Sequence, residues 1–232
     1  MKEATFTPRR PLDYYPTPAN VTAVLRDWLR DQRGAPLATD RFLDPAAGDG
    51  MIVDAMRDVW GESFWHAIEI NSAHCDALDG LCEDVTIADA TSTAWPCAHV
   101  VANPPFALLD RFWCMASEHR AKHCVWVAML TPVAWWNAES RRAHVRPDHI
   151  LSLGWRPSFH RKDGPAHKGS QDFCWAVMSP VALPFCEWRR LEKPGALERA
   201  EAAARGVSVA RLREVARERL ARAVEAQGKD PL

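Results

Sequence analysis

No apolar run in this chain approaches the roughly 20 residues that a membrane-crossing helix needs, so no spanning segment and no membrane partner are expected. The opening stretch, "MKEATFTPRRPLDYY", lacks the apolar core of a secretion signal, and a cytoplasmic location is expected. The seven cysteines (Cys75, Cys82, Cys97, Cys114, Cys124, Cys174 and Cys186) are odd in number and form no CxxC pair. That spacing predicts neither a disulfide framework nor a metal site. No internal repeat and no GxGxxG loop is present. With a net charge of −1, the 232-residue chain also lacks the general basic coat of many nucleic-acid binders.

What charge there is gathers in one place. Between Asn137 and Ser170 lie seven basic residues (Arg141, Arg142, Arg146, Arg156, Arg161, Lys162 and Lys168) against three acids. Four histidines share the stretch. A local basic patch on a near-neutral protein suits a polyanion met on one face, although a solvated loop reads the same way.

Short apolar runs alternate with longer helical patterns, the signature of βαβ units. Strands are expected at 41–45, 64–70, 84–89, 99–103, 124–130, 149–155 and 173–179. Helices are expected at 18–31, 50–58, 71–80, 106–120 and 133–144. Right-handed crossovers would cover both faces of such a sheet with helices. The fold class read from this pattern is α/β, Rossmann-like, with a seven-stranded, mostly parallel sheet and a C-terminal helical tail. The domain itself spans 1–185, and residues 131–172 are its candidate DNA-contacting segment. The tail spans 195–228, with Ser208 as its cap and Leu212, Val215, Leu220 and Val224 as an apolar stripe.

Chemistry-bearing residues recur at strand ends. "FLDPAAGDG" (42–50) closes the first strand in a slim turn, where Gly48 and Gly50 let backbone approach a ligand. Glu69 ends the second strand, 25 residues beyond Asp44, where a carboxylate can accept hydrogen bonds from a ribose diol. Asp89 ends the third and could meet the amino group of an adenine. Three acids on successive strand ends point to a nucleoside-containing ligand.

The fourth strand delivers "NPPF" (103–106). Neither proline can donate to a sheet ladder, and each holds its predecessor extended, so Asn103 sits on stiff backbone at a strand end. A planar amine is a poor nucleophile because its lone pair is delocalised. The Asn103 side-chain oxygen and the Pro104 carbonyl can hold both N–H groups and favour a pyramidal nitrogen, while Phe106 stacks on the ring.

Taken together, "YPTP" (15–18), "DPAAGDG" (44–50), "IEIN" (68–71), "ADA" (88–90) and "NPPF" resemble the S-adenosylmethionine-dependent DNA adenine-N6 methyltransferases, which have a class I methyltransferase fold. The order is that of the subgroup whose catalytic motif comes last, and the resemblance runs from residue 14 to about 180. "RPSF" (156–159) and "SQDFCWAV" (170–177) look like the sixth and seventh strands of small, phage-type members. The resemblance implies that Tyr15, Pro16, Thr17 and Pro18 flank the methionine part of the cofactor and that Asp44, Ala46 and Gly48 line it. It implies Glu69 on the ribose, and Asp89 with Ala90 on the adenine ring. Asn103, Pro104, Pro105 and Phe106 would receive a flipped-out adenine from DNA, with Phe159 on its other side. Arg156, Arg161, Lys162 and Lys168 would contact the DNA.

The family's specificity domain is usually large, and here only about fifty residues follow the last expected strand. A short or relaxed sequence preference follows. Two alternatives stay open: a glutamine-N5 protein methyltransferase, whose amide substrate poses the same planar-nitrogen problem, and a silent domain that binds nucleic acid or cofactor without turnover.

Overall fold

The computed structural model describes residues 14–34, 37, 39–137, 145–159, 171–196, 203–204, 208 and 210. Helix α1 (Ala19–Arg33) comes first, followed by β1 (Arg41–Asp44), α2 (Met51–Arg57) and β2 (Phe64–Glu69). Next are α3 (Cys75–Asp79), β3 (Asp84–Ile87), β4 (His99–Ala102), α4 (Leu109–His123) and β5 (Val127–Pro132). The chain then forms β6 (His149–Leu153), β7 (Phe173–Met178) and β8 (Glu187–Leu191).

Among the described residues one sheet contains all eight strands in the order β3-β2-β1-β4-β5-β7-β6-β8. Every pairing is parallel except the two made by β7, which runs antiparallel between β5 and β6. The seven expected strands are all present. The eighth, β8, lies beyond residue 185 and was not expected. Four of its five residues are exposed, so no apolar alternation marks it in the sequence.

Strand β5 begins at Val127, three residues later than the pattern predicts. Helix α4 runs on to His123, and Cys124 caps it in the left-handed conformation, φ 52°, with its N–H on the Arg120 carbonyl. The expected helix at 71–80 is a 3-10 turn (Ser72–His74) followed by the short α3. That at 133–144 is a 3-10 turn over Val133–Asn137, and its remainder lies outside the described residues.

Both faces of the central strands are covered. Val21, Leu25, Trp28 and Leu29 make the buried stripe of α1. They join Ala128 and Leu130 of β5 and Phe173, Trp175 and Val177 of β7 in one core cluster. The alternate residues, Val127 and Met129 with Cys174, Ala176 and Met178, join Leu109, Phe112, Trp113 and Ala116 of α4 in another. This is the period-two division expected of strands buried on both sides. The Trp175 indole N–H reaches the Val21 carbonyl at 2.9 Å and pins α1 to the sheet.

The sheet belongs to a unit that ends at Leu191, and residues 192–232 form a second unit. The expected tail helix, with its apolar stripe, falls almost wholly outside the described residues. Strand order reverses between β1 and β4, which opens a crevice at their carboxyl ends, where open α/β sheets take ligands.

Candidate active site

The turn after β1 is shaped by backbone that a side chain would disturb. Gly48 has φ 54°, and a Cβ there would stand 2.7 Å from Tyr14 Cε2. Gly50, φ 83°, caps α2. Glu69, at the end of β2, is buried and joins two turns: Oε2 accepts the Gly48 N–H at 2.7 Å and Oε1 accepts the Asn71 N–H at 2.8 Å. The carboxylate therefore organises the glycine turn as well as facing the crevice.

Asp44 does not reach the crevice surface. It is fully buried beneath the turn, where Oδ1 accepts the Ala46 N–H at 3.0 Å and Oδ2 has no partner among the described residues. Burial, reinforced by the negative charge of Glu69 and opposed by the Ala46 N–H, pushes its carboxyl up to about 8. The folded chain thus holds a proton here that the unfolded chain has released. This contribution to stability is complete below the ordinary carboxylate range and is lost as pH rises toward about 8. Asp44→Asn removes the titration. Its unfolding free energy should gain on that of the parent chain from about pH 5 to pH 8, at no more than about 1.4 kcal/mol per pH unit, and its melting temperature should rise relative to the parent with it. A gap independent of pH would mean that Asp44 keeps an ordinary affinity for its proton.

Residues 14–17 lie across the crevice as a strap. Tyr14 covers Gly48 and packs against the His74 ring at 4.7 Å. Burial and its hydrogen bond to Asp49 hold its phenol well above the usual range. Further along, the Asn103 side-chain N–H groups reach the Tyr15 carbonyl and Thr17 Oγ1, each at 3.1 Å. Asn103 Oδ1 is shielded from solvent and has no partner among the described residues.

Beyond Asn103 the chain passes through buried Pro104 and through Pro105 into a 3-10 turn, Phe106–Leu108. The Phe106 ring lies nearly parallel to that of Tyr15, 7° apart in plane and 6.4 Å between centroids. It also packs on Phe173 at 5.6 Å, and Phe159 meets Phe173 edge-on at 4.9 Å. The four rings form one aromatic cluster beside Asn103.

These parts enclose a cavity of about 730 Å³. Of the residues expected from sequence, Tyr15, Pro16, Thr17, Ala46, Gly48, Glu69, Asp89, Ala90, Asn103 and Pro105 line it. Pro18 instead caps α1, its carbonyl accepting the Val21 N–H, and Asp44 lies beneath the turn. Pro104 and Phe106 are not on its wall.

Asp89 accepts both the N–H and the hydroxyl of Thr91, which hold its carboxyl below the usual range. Arg156 is exposed and paired with Asp172 at 2.8 Å, a contact of small energetic value that a phosphate could replace. Arg161, Lys162 and Lys168 lie outside the described residues. Sequence reasoning missed Tyr14, Ile70 and Asn71 in the wall. Ile70 carried a legible signal: an apolar residue directly after the strand-end acid, here 55% exposed.

No protein-family model matches this sequence, and no curated protein sequence matches it. Solved structures do. The methyltransferase subunit of a type I restriction-modification system from Streptococcus thermophilus superposes with a TM-score of 0.53 at 13% identity, over 71% of this chain and 44% of that one. The fold is that of a class I methyltransferase. A predicted O-methyltransferase from Agrobacterium tumefaciens is similar at TM-score 0.49 and 15% identity, over 76% of this chain and 86% of that one. TrmN from Thermus thermophilus is similar at 0.44 and 19%, over 68% and 48%. This chain spans less than half the length of the Streptococcus subunit. Within the class I methyltransferase fold, the cavity stands at the carboxyl ends of β1, β2 and β4, and Asn103 closes one side of it.

Proposed function

We propose that the protein transfers a methyl group from S-adenosylmethionine to the N6 amine of adenine in DNA, with short or relaxed sequence specificity. One observation carries the reading: Asn103 spends both side-chain N–H groups on the strap, and its oxygen is unpaired among the described residues. A buried acceptor without a donor is costly unless a ligand supplies one.

The residues present fit the cofactor. The cavity has the volume of a small-molecule site. Its glycine turn allows backbone to approach closely, and Glu69, Ile70, Asp89 and Ala90 line it in strand order, as a nucleoside requires. When bound, S-adenosylmethionine supplies an electrophilic methyl group. The chain's own residues prepare the amine. Asn103 Oδ1 and the Pro104 carbonyl accept its two N–H groups, which withdraws the nitrogen lone pair from the ring, and Phe106 offers a face to the base. No strong base is required, because the nitrogen becomes acidic only after it carries the methyl group.

Adenine reaches such a site by rotating out of the duplex. The likeness to a restriction-modification methyltransferase subunit supports DNA as the substrate. The test is incubation with isotopically labelled S-adenosylmethionine and plasmid DNA, followed by mass spectrometry of digested nucleosides. N6-methyladenine in many sequence contexts is expected. Label found only in methylcytosine, or only on protein glutamine, would replace this reading with another.

A further inference from the structure

An asparagine amide can face either way, and only one orientation presents an acceptor to an amine. The Asn103 nitrogen meets two oxygens, the Tyr15 carbonyl and Thr17 Oγ1. The carbonyl sets the polarity, because it can only accept. An amide turned end for end would place Oδ1 against that oxygen, with repulsion in place of a hydrogen bond. One contact leaves the amide plane free to rock. The second, to Thr17, engages the other N–H and fixes it. Thr17 is 4% exposed, so water cannot readily take its place.

We propose that Thr17 is a positioning residue, whose buried hydroxyl works with the Tyr15 carbonyl to hold the Asn103 amide in the orientation that leaves Oδ1 for a substrate N–H. The inference rests on Asn103 as the amine acceptor. It adds a link that crosses 86 residues of sequence, and it gives the Thr of "YPTP" a task directed at the substrate.

The experiment uses the full chain. Thr17→Val keeps the shape of the side chain and removes its oxygen, while Thr17→Ser keeps the oxygen. Methyl transfer to an adenine-containing duplex is measured for both, beside Asn103→Ala, and affinity for S-adenosylhomocysteine is measured by calorimetry. Thr17→Val should lower kcat about tenfold, as expected for a lost hydrogen bond to a buried group, with KM for DNA changed by less than about twofold and product affinity, because Thr17 also lines the cavity, lowered severalfold at most. Thr17→Ser should restore kcat.

A second readout needs no activity. In ¹⁵N-labelled protein, the side-chain amide pair absent from Asn103→Ala is that of Asn103. Its protons should exchange with solvent faster in Thr17→Val and at the parent rate in Thr17→Ser. If the Val variant does not fold, Thr17→Ala takes its place. Unchanged kcat with unchanged exchange overturns the proposal, as does a parallel loss of kcat and product affinity that Ser does not rescue. Full activity in Asn103→Ala would instead overturn the amine-acceptor reading, and the exchange rates would still decide whether Thr17 holds the amide.

Discussion

Asn103→Ala is expected to reduce methyl transfer by about a hundredfold or more, the typical loss when one preorganised acceptor of a transition state is removed. The defect should lie in the chemical step, with kcat and kcat/KM falling together, because the interaction strengthens as the amine nitrogen pyramidalises. The structure adds a smaller second effect. Asn103 also holds the strap through Tyr15 and Thr17, so its removal should loosen cofactor affinity severalfold at most. Asn103→Asp should fare no better, because it sets a carboxylate oxygen against the Tyr15 carbonyl. Phe106→Ala removes a stacking face worth about 1–3 kcal/mol and should weaken capture of the base as well as slow transfer. Phe106→Tyr and Phe106→Trp should stay active, since each keeps an aromatic face. Single-turnover rates and duplex affinities separate these cases. Normal transfer by Asn103→Ala would reduce "NPPF" to a turn.

Glu69 is the second position at which a large effect is expected, and the structure makes its amide variant informative. Its two oxygens each receive a backbone N–H, one from Gly48 and one from Asn71. Glutamine offers one acceptor and one amino group, so Glu69→Gln must set its NH₂ against one of those donors. The usual conservative replacement should therefore be nearly as damaging as Glu69→Ala. A charge-assisted hydrogen bond to buried backbone contributes about 1.5–3 kcal/mol, so either variant should weaken S-adenosylmethionine binding by about tenfold to a hundredfold. Calorimetry on the two variants checks it. Parent-like affinity in Glu69→Gln would show that cofactor binding does not depend on the carboxylate.

The strand ends were legible because each closes a short apolar run with a polar residue that its neighbours do not explain. Asp44, Glu69, Asp89 and Asn103 all stood out in this way. Spacing gave no sign of how two of them would be used. Asp44 reads as a lining residue, yet its carboxyl is drawn under the turn to accept the Ala46 N–H. Glu69 reads as a ligand, yet it is also the strut of the glycine turn. The latch on Asn103 was invisible for another reason. Its partners lie 86 and 88 residues upstream, and no local periodicity reports a contact across such a distance. Strand β8 was missed because a strand exposed along most of its length carries little apolar pattern.

Among the described residues that same strand ends the sheet, beyond β6, and an edge strand is a template on which another chain can extend the ladder. Its residues, Glu187-Trp188-Arg189-Arg190-Leu191, make such growth unfavourable. A parallel copy in register would stack each charge on its like. An antiparallel copy centred on Arg189 would set that arginine against itself, which is destabilising for directly opposed side chains. Pairing of this edge with a copy of itself is therefore expected to be disfavoured, at a margin where Trp188 and the nearby Phe185 expose large apolar surfaces.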